Sequence, residues 1–201
     1  MTAIRKCKRL DRVAFRPSFD KSGGLRDRPI PVGQAGHGKF MIKKFLELPF
    51  TNSDMPLWIY VLAMTLLAVP LSWMMLYAAV KCCTLFGLNA DMFLPRFRHS
   101  RAYMLVGAGF LGPIIETMLL ALGLSIISKF VKNPVAVAAT SALLWGALHG
   151  LQAPLWFFGT AWSFYVFSAS FMARRELSFR AAFIAAAVPH GFQNISAMVF
   201  G

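Results

Sequence analysis

The chain has 201 residues, 57% of them hydrophobic and 14% charged, and a mean hydropathy of +0.58. A water-soluble domain rarely exceeds about half apolar residues, so this composition excludes a soluble globular protein and points to a membrane one. The net charge of +13 would suit a nucleic-acid partner, but 12 of the 21 basic residues precede position 57 and the rest lie between apolar runs. That arrangement reads as membrane topology, and no helix or aromatic platform accompanies the charge to bind nucleic acid.

Residues 1–56 form a basic tail, expected on the cytoplasmic side. Its first 39 residues mix Arg, Lys, Asp, Gly and Pro and should be largely flexible, with His37 a solvated side chain rather than a ligand. Over 40–50 the pattern allows a short interfacial helix, with Met41, Phe45 and Leu48 toward lipid and Lys43, Lys44 and Glu47 toward water. A plain tether is the rival reading. No apolar core follows the first basic residues, so a cleaved signal peptide is not expected. Cys7, Cys82 and Cys83 have no metal-ligand spacing, and adjacent cysteines seldom pair with each other.

From residue 57 onward the chain reads as all-α, a polytopic helix bundle with about five transmembrane helices. Uncharged runs long enough to span a bilayer cover 55–80, 102–128 apart from Glu116, 133–173 and 181–201. The third is too long for one helix, and Gln152, Ala153 and Pro154 offer a turn within it. The expected spans are therefore about 57–80, 104–128, 134–151, 155–173 and 179–200. Pro70 should kink the first, in which no polar residue suggests chemistry. The run 83–94 is too short to cross and should be interfacial or re-entrant. A cytoplasmic N-terminus would put Lys129, Lys132, Arg174, Arg175 and Arg180 inside and Lys81, Arg96, Arg98 and Arg101 outside, so the loops by themselves do not decide orientation.

Chemistry concentrates on four residues. Glu116 is the only charged side chain between Arg101 and Lys129, and a charge at mid-membrane costs about 3 kcal/mol, so such groups usually serve a function. Gly107, Gly109, Gly112 and Pro113 precede it. Pro113 should free the carbonyl of Gly109, leaving the backbone bent and closely packed before the acid. His149 closes the third span with Trp145 one turn earlier, and His190 and Asn194 share a face of the fifth. Taken singly, each could be an ordinary packing residue. By depth they converge: spans two, three and five run down, up and up, which puts all four groups in the half of the membrane where span two begins.

This order resembles the CAAX-protease and bacteriocin-processing family, also called Abi, of glutamic-type intramembrane proteases. The family's motifs are Glu-Glu-x-x-x-Arg, Phe-x-x-x-His and His-x-x-x-Asn or Asp. The chain offers Glu116-Thr117-Met118-Leu119-Leu120-Ala121, Trp145-x-x-x-His149 and His190-x-x-x-Asn194. The likeness covers about 104–200. It departs at Thr117 and Ala121, which replace the second Glu and the Arg. The resemblance implies an intramembrane endopeptidase of a multi-pass protein, expected in a bacterial cell membrane and acting on a peptide or protein substrate that can be lipidated. Glu116 would activate water, aided by His149, while His190 and Asn194 hold the developing negative charge. No cofactor is expected. If zinc were bound, Glu116, His149 and His190 would be its ligands. The alternatives are an inactive relative acting as a membrane immunity or scaffold protein, and a b-type haem protein using His149 and His190 as axial ligands.

Overall fold

A computed structural model describes residues 44–50, 55–95 and 101–200, with the side chains of 101–103 left aside. The stretch 1–39, expected to be flexible, and Met41, Lys43, Arg96 and Arg98 lie outside the described residues, as do Cys7 and His37. Every regular element within them is helical: α1 (Leu57–Leu85), a 3-10 turn (Ala90–Met92), α2 (Arg101–Val106), a π-helical turn (Gly107–Leu111), α3 (Gly112–Phe130), α4 (Pro134–Gln152), α5 (Trp156–Arg174) and α6 (Phe179–Phe200). Four helices are long and apolar enough to cross a membrane: Leu57–Leu85, Met104–Phe130, Pro134–Gln152 and Phe179–Phe200. The protein is an all-α membrane helix bundle.

Local sequence sets the helix ends. α1 continues past the expected 80 to Leu85, where Gly87 takes a left-handed φ of 71°. The Leu88 N–H then bonds the Cys83 carbonyl at 2.9 Å, the closing bond of a glycine-terminated helix. α1 is 29 residues long, about 43 Å, so its last turns rise beyond a hydrocarbon core of about 30 Å. There the Lys81 ammonium lies over the Tyr77 ring. α4 starts with Pro134 after Asn133, whose side chain accepts from the N–H groups of Val135 and Ala136, satisfying donors that a helix start leaves open. The expected break at 152–154 is present, and the Leu155 N–H reaches across to the Phe93 carbonyl at 3.2 Å. That bond ties the α4–α5 turn to the stretch following α1.

The centre of the bundle is α5. Its residues from Trp162 to Met172 are all buried, between α4, α1 and α6. A helix buried on every side needs no apolar stripe, and α5, which carries Trp, Tyr and Ser through its length, is not among the four helices apolar enough to cross. Small residues allow the close approaches. A Cβ on Gly146 of α4 would stand 2.9 Å from the Ala161 Cβ, and one on Gly159 of α5 would stand 3.0 Å from Ser72 Oγ of α1. α1 runs through Pro70, and the Trp162 indole N–H donates to the Leu67 carbonyl at 3.1 Å. Leu67 is one residue on from the carbonyl that Pro70 leaves without its helical donor.

Two sets of contacts could not be read from the sequence. The helical stretch 44–50 docks on the bundle. Phe45 stacks on Trp162 at 5.4 Å, and the Tyr60 and Tyr165 hydroxyls donate to the carbonyls of Pro49 and Leu46 at 2.7 and 2.6 Å. The amphipathic pattern did not reveal that aromatic partners would claim this face. Arg174, expected as a loop charge, is buried. Its Nη2 donates to the Met55 carbonyl at 2.7 Å, and its guanidinium lies 4.1 Å from the centre of the Tyr60 ring, a cation on an aromatic face.

Candidate functional site

The site is assembled from α3, α4, α5 and α6, and it begins with the π turn. There the Gly112 N–H bonds the Gly107 carbonyl five residues back, one residue further than in an α-helix. Carried on one residue, this register makes position 113 the donor for the Ala108 carbonyl. Pro113 has no N–H. The Asn194 side chain supplies the missing donor, its Nδ2 standing 2.8 Å from the Ala108 carbonyl. The Ala108 carbonyl thus finds its donor on α6, and Pro113 likewise offers no N–H to the Gly109 carbonyl four residues back. The Gly109 carbonyl instead faces Gly191, where a Cβ would come within 3.2 Å of it.

This seam sets α3 against α6 and brings Glu116 Oε2 to 3.4 Å from His190 Nε2. The contact is close enough for charge to matter, but it is not aligned as a hydrogen bond, and Oε2 has no hydrogen-bond partner among the described residues. The His190 side chain is 3% exposed and that of Glu116 29%. Phe167 stacks on the His190 ring at 4.8 Å, and Phe164 meets it edge-on at 5.0 Å.

His149 joins from α4. Its Nδ1 lies 2.9 Å from the Trp145 carbonyl. A carbonyl can only accept, so Nδ1 carries the proton and Nε2 keeps its lone pair. Trp145 stacks on Phe164 at 4.7 Å, with planes 9° apart, while it meets His149 only at a tilt, 6.2 Å away. Phe164 also packs against His149 at 5.4 Å, so one phenyl ring touches both imidazoles.

His149, His190 and Asn194 line one cavity of about 60 Å³ between α1, α4, α5 and α6, room for a few water molecules. Glu116 is not in its wall and meets the cavity only through His190. The sequence reading missed most of the lining, including the polar residues Ser72, Trp73 and Gln193. Ser72 Oγ donates to the Gly159 carbonyl at 2.9 Å and accepts from Gln193 Nε2 at 3.2 Å. Trp73 Nε1 donates to Ser196 Oγ, which donates to the Gln193 carbonyl. Gln193 was visible beside Asn194 as a polar residue in an apolar helix. Ser72, alone in an apolar span, gave no signal. Thr117 and Ala121, at the departures from the family pattern, are both buried, and Thr117 Oγ1 has no hydrogen-bond partner among the described residues.

Among the described residues no group of three or more His, Cys, Asp or Glu is placed to hold a metal ion. No protein-family model, curated protein or solved structure matches the chain.

Proposed function

We propose that this chain is an intramembrane endopeptidase. The observation that carries the reading is the Glu116–His190 contact at 3.4 Å, set beside a water-sized cavity that His149 and Asn194 also line. Because Glu116 reaches the cavity only through His190, its part is to orient that ring and stabilise charge on it. The water-facing base is His149. A cavity water gives its proton to His149 Nε2 as its oxygen adds to the substrate carbonyl carbon. The oxyanion is held by the Asn194 amide hydrogen not spent on Ala108 and by His190. His149 then returns the proton to the leaving nitrogen as the C–N bond breaks. The substrate is a peptide segment within the membrane, lipidated or not, and no cofactor takes part. The protein sits in a bacterial cell membrane with its N-terminal tail in the cytoplasm.

The test is Glu116→Gln, which keeps size and polarity but removes the carboxylate. With the protein reconstituted in liposomes alongside a quenched fluorescent membrane-spanning peptide or a prenylated peptide, the rate should fall by about 100-fold or more. Cleavage at the wild-type rate would rule out the catalytic assignment. A second reading, a non-catalytic immunity or scaffold protein, is favoured by one observation: Thr117 and Ala121 are buried and leave no space for a second Glu and an Arg. On that reading neither the wild type nor Glu116→Gln cleaves any peptide, and both support the protective or scaffolding function equally.

A further inference from the structure

The membrane-facing cleft between α3 and α6 contains two apolar hollows. One, of about 300 Å³, is walled by Gly109, Pro113, Ala187, Gly191 and Ile195 among others. The other, of about 270 Å³, lies between Met118, Phe179 and Arg180. Both include Phe183 and Ile184, so they form one trough. Its floor is narrow where Gly109 and Gly191 bring the two backbones together. Among the described residues Arg180 is the only charged one in its wall, and it stands at one end. The neighbouring Arg175 is engaged by Glu176 at 3.4 Å.

Length decides what can fill it. Arg180 to Phe192 is 12 residues of α6, about 18 Å. That is close to the hydrocarbon depth of one leaflet, about 15 Å. A transmembrane segment of a partner would need both leaflets. A lipid of one leaflet needs half, with its headgroup at the end where the cation is. Arg180 is also ten residues, about 15 Å, along α6 from His190, which puts it at headgroup level when the Glu116–His190 pair lies near mid-membrane. We propose that the α3–α6 trough is a binding site for an anionic phospholipid, with the phosphate on Arg180 and an acyl chain running along Ile184 and Ala187 to the Gly109–Gly191 crossing. The proposal does not depend on peptidase activity.

Native mass spectrometry of the full chain, released from nanodiscs holding equal phosphatidylglycerol and phosphatidylcholine with matched acyl chains, tests it. The wild type should retain phosphatidylglycerol roughly fivefold over phosphatidylcholine, the attraction expected of one basic residue at the membrane surface. Arg180→Gln should lose the preference and Lys132→Gln keep it. Ala187→Phe, which fills the trough, should lower retention of both lipids while the helical circular dichroism stays unchanged. Equal retention of the two lipids by the wild type would overturn the proposal. So would equal losses in Arg180→Gln and Lys132→Gln, a general effect of surface charge, or a dimer that excludes lipid from the cleft.

Discussion

Glu116 Oε2 and His190 Nε2 face each other at 3.4 Å from two different helices, and each lessens the cost of the other. An acid isolated in the membrane must be neutral or find a cation, and an imidazole 3% exposed among phenyl rings has the same difficulty. Held together, they can share a proton or form an ion pair. Their contributions to stability should therefore not add. In a double-mutant cycle of Glu116→Gln and His190→Gln, read by thermal unfolding in detergent, the coupling should be on the order of 1 kcal/mol. Additive losses would mean that the two groups do not interact.

Asn194 Nδ2 donates to the Ala108 carbonyl at 2.8 Å, beside the place where Pro113 lacks an N–H. Asn194→Leu should cost about 1 kcal/mol, the usual worth of an interhelical hydrogen bond in a membrane. Pro113→Ala supplies a backbone N–H at that place, so the double variant should recover most of the loss. If Pro113→Ala gives no rescue in chemical unfolding, the Ala108 carbonyl is not what Asn194 satisfies.

The α4–α5 contact has no space for a methyl group. Gly146→Ala would set a Cβ 2.9 Å from the Ala161 Cβ, whereas nothing lies within 4 Å of a Cβ at Gly123. The first substitution should cost about 1–3 kcal/mol. The second should be neutral or slightly stabilising, because a methyl group in open space costs nothing and Ala favours the helix. Equal effects on the unfolding midpoint would contradict the close approach.

Arg174 joins the end of α5 to the start of α1 through the Met55 carbonyl and the Tyr60 ring. Arg174→Met should destabilise by about 2 kcal/mol, the value of a hydrogen bond from a charged donor. Lys at 174 should recover only part of this, because a point charge does not reproduce a planar group that stacks and donates together. Full recovery by Lys in thermal unfolding would leave charge alone as the cause.

The helices were legible because their signals are local: uncharged runs of spanning length, Asn133-Pro134 at one start, Gln152-Ala153-Pro154 at one break. The Glu116, His190 and Asn194 neighbourhood was legible for a different reason, since polar groups in apolar helices have few places to go. What stayed hidden depends on contacts between distant segments. Ser72 matters because Gly159 and Gln193 happen to meet it. Phe45 stacks on Trp162, a partner 117 residues away. Arg174 carries the same letter as a loop arginine, and only the approach of Met55 and Tyr60 distinguishes it. Glu116 is absent from the wall of the cavity that His149, His190 and Asn194 line, which residue spacing could not show.

The π turn at Gly107–Leu111 holds one residue more than an α-helix would need to cover the same rise. Successive α-helical residues are about 100° apart around the axis, so this surplus residue acts as a phase shift between the part of the rod before it and the part after it. Removing a single residue there would leave the hydropathy and length of Met104–Phe130 almost untouched. It would also let the rod run on as an unbroken α-helix with Glu116 still toward His190, whereas one further inserted residue would turn Glu116 about a quarter of the way around, so insertions in this turn should matter far more than a deletion.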